Sequence, residues 1–272
     1  MKLKFLFLLL ISQFGFSQIW VNSLDEAKKV AKTTNKFILL DFNASWCKPC
    51  KKMETDFWYN TAYKSTLDKF IIVPIDIDTN RDVAQNYNVS SIPDVKLVDI
   101  NGDVIHQTLG FQNSKYFDQE FNGFPEGTED LYTSLNFKDK KNPTDEELIT
   151  LATSYQVLLQ KSENTARNKF LTLSNNFFNK CIKKTSDAKN KEISELGKFF
   201  NLALTNSENK VVKNLDTSKI SEENKSYAHY ILAKAYYQTS NKNEAEKNIA
   251  EIEKINDENW VYAAKTLKAK YK

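Results

Sequence analysis

Over the first 122 residues the hydrophobic pattern alternates between short unbroken apolar runs and stretches of helical spacing. Phe37 to Leu40 is an apolar run that reads as a buried strand, and Ile71 to Ile77 reads as a second, with Asp76, Asp78 and Asn80 at its exit. Ser23-Leu24-Asp25-Glu26 is a capping box that opens a helix with Leu24, Ala27, Val30 and Ala31 on its inner face. Thr33-Thr34-Asn35 ends that helix before the first strand. Cys50 to Phe57 holds no breaker and reads as helix, and Asn60 to Phe70 as a polar helical stretch. Residues 82–87 make a short helix. Val95 to Val98, then Asn101-Gly102, then Val104 to Thr108 predict a β-hairpin. Gly110 breaks the chain, and Ser114 to Phe121 closes the unit as a helix. The predicted order is β-α-β-α-β-β-α.

Residues 123–143, with Gly123, Pro125, Gly127 and Pro143, read as a linker. Beyond it, residues 144–272 carry no proline and a single glycine, Gly197, and their apolar positions recur at helical spacing. This half is expected to be all-α. A Leu-small-x-x-aromatic pattern occurs three times: Leu151-Ala152 with Tyr155, Leu196-Gly197 with Phe200, and Leu232-Ala233 with Tyr236. The last continues through Asn241-Lys242-Asn243 to Ala245 and Ile249 and resembles a tetratricopeptide repeat. An ordinary helical bundle accounts for the same spacing.

Residues 1–17 read as a secretory signal peptide. Lys2 and Lys4 precede a mostly apolar run from Phe5 to Phe16, too short to span a bilayer, with Gly15 and Ser17 at the small positions before a cut. Cleavage after Ser17 would leave Gln18 first; an uncleaved N-terminal anchor is the alternative. An exported, periplasmic location is expected, with residues 18–122 as the first mature domain and no stable membrane insertion after cleavage.

The 272 residues suit two domains, and 41% apolar content is enough for packed cores. The net charge of +3 arises from 38 basic and 35 acidic residues mixed along the chain, with no basic cluster, which argues against nucleic acid as a partner. Three cysteines are too few for a disulfide scaffold. Cys47 and Cys50 form a Cys-x-x-Cys pair; Cys181, His106 and His229 do not supply the second ligand pair that a zinc site needs, so no metal and no cofactor are expected. Cys181 reads as a buried apolar cysteine, His106 as a surface residue of the hairpin, and His229 as packed or solvent-facing.

The Cys pair sits where strand gives way to helix. Unpaired N–H groups at a helix start favour an anion, and such sites lower a cysteine pKa from about 8.5 to between roughly 3.5 and 7.5. Cys47 at the exposed helix start is the expected nucleophile, and Cys50, one turn on and more buried, the resolving thiol.

Asp41 ending the strand, Trp46 before the first cysteine, Pro49 before the second, and Ser91-Ile92-Pro93 farther on resemble the thioredoxin family over roughly residues 19–122. The segment from Lys36 to Met53 also looks like the periplasmic thioredoxin-like domain of membrane disulfide reductases. The resemblance implies an α/β thioredoxin fold, a cis bond before Pro93, and Asp41 beneath Cys50 taking its proton through water. It also implies a substrate-binding surface at Trp46, Ile92 and Pro93. Two positions depart from the pattern. Asp94 stands where a Thr usually follows the cis-proline, and Pro74 where many members carry a Lys. A carboxylate near Cys47 disfavours its thiolate, while Lys48 favours it, so Lys48, Pro49 and Asp94 are candidate tuners of the redox potential.

The function expected from these residues is thiol–disulfide oxidoreduction, most simply reduction of protein disulfides. Protein thiols and disulfides would be the substrates, and a membrane or exported protein the electron donor. A helical-repeat adaptor with a thioredoxin-like binding platform, or a disulfide-forming oxidase or isomerase, would use the same sequence.

Overall fold

A computed structural model describes residues 18–271; the expected signal segment lies outside the described residues. The first half is a five-stranded sheet in the order β1-β3-β2-β4-β5. Its strands are β1 (Ile19–Trp20), β2 (Phe37–Asn43), β3 (Phe70–Asp76), β4 (Asp94–Val98) and β5 (Val104–Leu109). β2 and β3 pair parallel, whereas β4 runs antiparallel to both β2 and β5. The two-residue β1 pairs parallel with β3 and is too short to carry a hydropathy pattern.

Helix α1 (Leu24–Thr34) starts where Ser23 accepts the Glu26 N–H, and it stops at Asn35 in the left-handed region, φ 54°. Only half of the expected capping box forms, because the Glu26 carboxylate accepts from the N–H of Asn22 instead. The active-site helix α2 (Lys48–Met53) runs on into a π-turn, Glu54–Trp58. The stretch expected to be helical from Asn60 to Phe70 holds only a 3-10 turn at Thr61–Tyr63 and α3 (Lys64–Leu67). Phe70 belongs to β3, opposite Phe37, because burying both rings at the strand starts outweighs extending a polar helix. α4 (Arg81–Asn86) and α5 (Ser114–Phe121) complete this half.

The segment 123–143 is packed rather than extended. It carries α6 (Leu131–Ser134) and buries Phe124, Leu131, Tyr132 and Leu135. Its polar groups are tied to the sheet: Thr128 N–H donates to Asn35 C=O at 2.7 Å, Tyr132 Oη donates to Lys36 C=O, and Lys138 bridges Asp99 and Asp103 in the β4–β5 turn. The glycines and prolines that mark it in sequence serve close packing. A Cβ on Gly123 would lie 2.3 Å from the Glu163 carbonyl oxygen.

The second half is all helical: α7 (Asp145–Gln160), α8 (Asn164–Lys184), α9 (Ala188–Leu204), α10 (Glu208–Asn214), α11 (Lys225–Gln238), α12 (Lys242–Ile255) and α13 (Glu258–Lys270). α11 and α12 form the tetratricopeptide-like hairpin, with Ala233, Ala245 and Ile249 buried together. Phe170 of α8 packs on Phe37, with ring centroids 5.9 Å apart, and on Phe124, at 5.7 Å. One apolar core therefore runs from Val21 to Ala235 through both halves. The helices cover the starting end of β2, and the disulfide lies beyond its other end, about 20 Å away for seven residues of strand. Among the described residues, no helix is long and apolar enough to cross a membrane.

Candidate active site

β2 delivers Asp41 and Asn43 to the end of the sheet, and the chain turns through Ala44-Ser45-Trp46 into α2. Cys47 caps that helix in an extended conformation, its sulfur accepting the Cys50 N–H at 3.2 Å. Cys47 and Cys50 are joined, with an S–S bond of 2.01 Å and Cα atoms 5.3 Å apart. The expectation of an exposed Cys47 and a more buried Cys50 needs correction, since the two residues are 3% and 6% exposed. Ala44, Ile77 and Ile92 close around the disulfide on both sides.

Asp41 lies in a cleft of about 300 Å³ shared with Cys50, Asn43, Lys51, Glu54 and Asp76 and walled by Trp20, Trp58 and Tyr59. Its Oδ1 has no hydrogen-bond partner among the described residues, and Oδ2 accepts from Asn43 Nδ2 at 3.3 Å. Burial pushes its pKa up to about 7, against the Asn43 hydrogen bond and with help from the Glu54 charge. Pro74 pairs with Asp41 across β2 and β3 and brings no charge to it.

Trp46 is 63% exposed and its Nε1 donates to Asp78 Oδ2 at 2.8 Å. Lys48 and Pro49 are exposed at the helix start. The Ile92–Pro93 bond is cis. The Pro93 carbonyl accepts the Gly110 N–H at 2.8 Å, and among the described residues no backbone hydrogen bond reaches Ile92.

Asp94 is placed differently from the expectation. Asp94 pairs with Phe42, and Val95 pairs with Asp41. Side chains alternate along a strand, so the Asp94 carboxylate points to the sheet face opposite Asp41 and α2. There it pairs with Lys96 at 2.9 Å and accepts from Gln107 Nε2 at 3.0 Å. A carboxylate so compensated does not act as a free anion against the Cys47 thiolate. The strand expected from sequence begins at Val95, whereas β4 begins at Asp94 and so sets Asp94 and Lys96 on one face.

His106 is also corrected. It alternates along β5 as expected, but its face is covered by α5 and α8, leaving it 6% exposed. Its Nε2 lies 2.8 Å from Glu120 Oε2 and its ring stacks on Phe124. Burial and the Lys169 charge hold its pKa below the usual value, against the pull of Glu120. Cys181 is buried, and burial raises its thiol pKa. His229 Nδ1 meets Asn248 Oδ1 at 2.8 Å, a packing role. Among the described residues, no group of three or more His, Cys, Asp or Glu side chains could hold a metal ion.

The family model for thioredoxin matches residues 19–121. Thioredoxin H4 of Arabidopsis thaliana is 31% identical over 94 residues, which are 35% of this chain and 73% of that protein. Thioredoxin of Bacillus subtilis is 38% identical over 82 residues, 30% of this chain and 76% of that protein. The TPR repeat-containing thioredoxin TDX of Arabidopsis thaliana is 33% identical over 72 residues, 26% of this chain and 18% of that protein. The likeness to the two short thioredoxins, spanning 73% and 76% of their lengths, with a family match over the residues that build the disulfide and its cleft, makes this chain a member of the thioredoxin family.

Proposed function

We propose that the protein is an exported thiol–disulfide oxidoreductase that reduces protein disulfides. The observation that carries this reading is the Cys47–Cys50 disulfide capping α2 beside a cleft that holds a buried Asp41. Reduced Cys47 attacks a substrate disulfide as a thiolate, breaking the substrate S–S bond, forming a mixed disulfide and expelling the first substrate sulfur as a thiolate. Cys50 then gives its proton towards Asp41 and attacks the Cys47 sulfur, closing the Cys47–Cys50 bond and releasing the substrate thiol. The backbone of Ile92, which no backbone hydrogen bond reaches among the described residues, offers an edge on which an extended substrate segment can pair. Electrons return from an exported or membrane dithiol protein, and the helical half offers a surface for that partner or for the substrate.

Equilibration of the pair with defined thiol/disulfide ratios, read by thiol trapping, tests the reading. A potential near −270 mV is expected for a reductase, whereas one near −120 mV would make the protein an oxidant. Cys50→Ser should accumulate mixed disulfides with substrates through Cys47. Absence of any reversible titration would move the protein to the adaptor reading.

A further inference from the structure

The cleft beside Cys50 is lined by three carboxylates, Asp41, Glu54 and Asp76, against one cation, Lys51. No ion pair among the described residues uses any of these four side chains. Asp41 is 6% exposed, and its Oδ1 is an unpartnered acceptor. The cleft opens at the margin of the sheet. β1 pairs with β3 only at Ile71 and Ile72, so β3 is an edge strand from Val73 onward, and Pro74 is exposed on it opposite Asp41. Aromatic rings form the facing wall. Tyr59 is 64% exposed with its ring 5.7 Å from Trp20, and Trp58 lies behind, 5.8 Å from Trp20.

An unpartnered buried carboxylate oxygen, further negative charge and an aromatic wall all favour a cation. A cleft dominated by one sign of charge between low-dielectric walls concentrates counter-ions, and aromatic faces attract cations. A metal ion does not fit, because no three of these acids form a group able to hold one. A guanidinium fits. It is planar and weakly hydrated, and it can lie on an aromatic face while its N–H groups reach a carboxylate. The volume of about 300 Å³ is at the small end for ligand pockets and suits one side chain.

We propose that the cleft is a binding site for an arginine side chain, presented by the protein that exchanges disulfides with Cys47–Cys50. The identity of the carrier rests on the oxidoreductase reading above. A guanidinium N–H donates to Asp41 Oδ1, and the plane of the group lies along Tyr59 and Trp20. Glu54 and Asp76 add negative charge around it. Within the chain, only the Asn43 amide offsets the burial that pushes the Asp41 pKa up to about 7. A cation beside Oδ1 supplies the compensation that the cleft itself lacks. The site thus adds a basic residue to what a partner must present, besides a segment that pairs with Ile92.

Two measurements on the full chain test this. In the first, N-acetylarginine amide is titrated into the oxidised protein at pH 8 and followed by the Trp20 indole N–H resonance. N-acetylcitrulline amide, of the same shape without the charge, is the control. The arginine probe is expected to bind saturably and about tenfold more tightly than the citrulline probe. Asp41→Asn should weaken it about tenfold, and Tyr59→Leu about threefold, with Tyr59→Phe restoring the latter loss. Equal affinity for the two probes overturns the proposal, as does arginine binding unchanged in both Asp41→Asn and Tyr59→Leu. N-acetyllysine amide binding as tightly as the arginine probe overturns the choice of a guanidinium. In the second measurement, disulfide peptides carrying arginine or citrulline at successive positions on either side of the cysteine are reduced by the protein. At least one arginine peptide should show a KM about tenfold below that of its citrulline twin, with kcat little changed. No difference at any position overturns the assignment of the carrier. If neither series exchanges at all, the oxidoreductase reading fails, while the probe titration still decides whether the cleft binds a guanidinium.

Discussion

Lys96 Nζ stands 2.9 Å from Asp94 Oδ2 with side chains only 4% and 0% exposed, so the residue after the cis-proline is one half of a buried ion pair. Removing one partner strands the other charge in the core. Asp94→Thr is therefore expected to lower unfolding free energy by about 3–5 kcal/mol, read from urea denaturation. Asp94→Thr with Lys96→Met should recover most of that loss, since replacing a buried pair by apolar groups is often near neutral. The reduction potential should move little in the double variant, because Asp94 points away from α2. A large shift in potential there would reinstate Asp94 as a tuning residue.

Asp41 gives a pH dependence of defined sign. Its folded-state pKa of about 7 lies above the ordinary value of 3.8. The folded protein therefore holds a proton that the unfolded chain has released between those two pH values. The penalty for the charged form is absent below about pH 4, grows as pH rises, and is complete above about pH 7. Asp41→Asn should accordingly stabilise the oxidised protein at pH 8 by on the order of 3–4 kcal/mol and leave it nearly unchanged at pH 3.5. The same substitution should slow disulfide exchange, by up to ~10²-fold if Asp41 serves as the general acid–base.

His106 acts with the opposite sign. Burial and Lys169 lower its folded-state pKa below the ordinary 6.5. The unfolded chain takes up a proton first as pH falls below 6.5, so stability contributed by the neutral ring is lost from there down to the folded pKa. As pH falls from 7 to 5 this loss opposes the gain from Asp41, so His106→Gln should steepen the rise of the denaturation midpoint across that window. An unaltered slope in the variant would mean that another group governs it.

Gly123→Ala tests the close approach of the two halves. The added Cβ would meet the backbone oxygen of Glu163 at 2.3 Å, and that backbone also donates from its N–H to the Gly123 carbonyl at 2.9 Å. No side chain can move aside there. A loss of about 1–3 kcal/mol is expected, seen as a lower Tm. The reduction potential should stay unchanged, because the contact lies far from α2.

The parts legible in sequence were those decided by short-range chemistry. The strand at Phe37, the Cys pair at a helix start, the hairpin and the helix at Ser114–Phe121 follow from local runs, caps and turn residues. What could not be read depends on partners distant in sequence. His106 is buried because α8, some 60 residues on, covers its strand face. Asp94 faces Lys96 because the pairing of β4 with β2 sets its side chain on the sheet face away from Asp41. The segment 123–143 reads as linker by composition, yet its aromatic and aliphatic residues are called into the core by Phe37 and Phe170.

The packing of Phe170 against Phe37 and Phe124 bears on how the chain comes apart. A fragment ending at residue 122 would keep every atom of the disulfide and its cleft but would open an aromatic wound at the foot of the central strand. Melting should then follow a single cooperative transition in the intact chain, with the helices lending the redox half a rigidity that its smaller relatives must find within themselves.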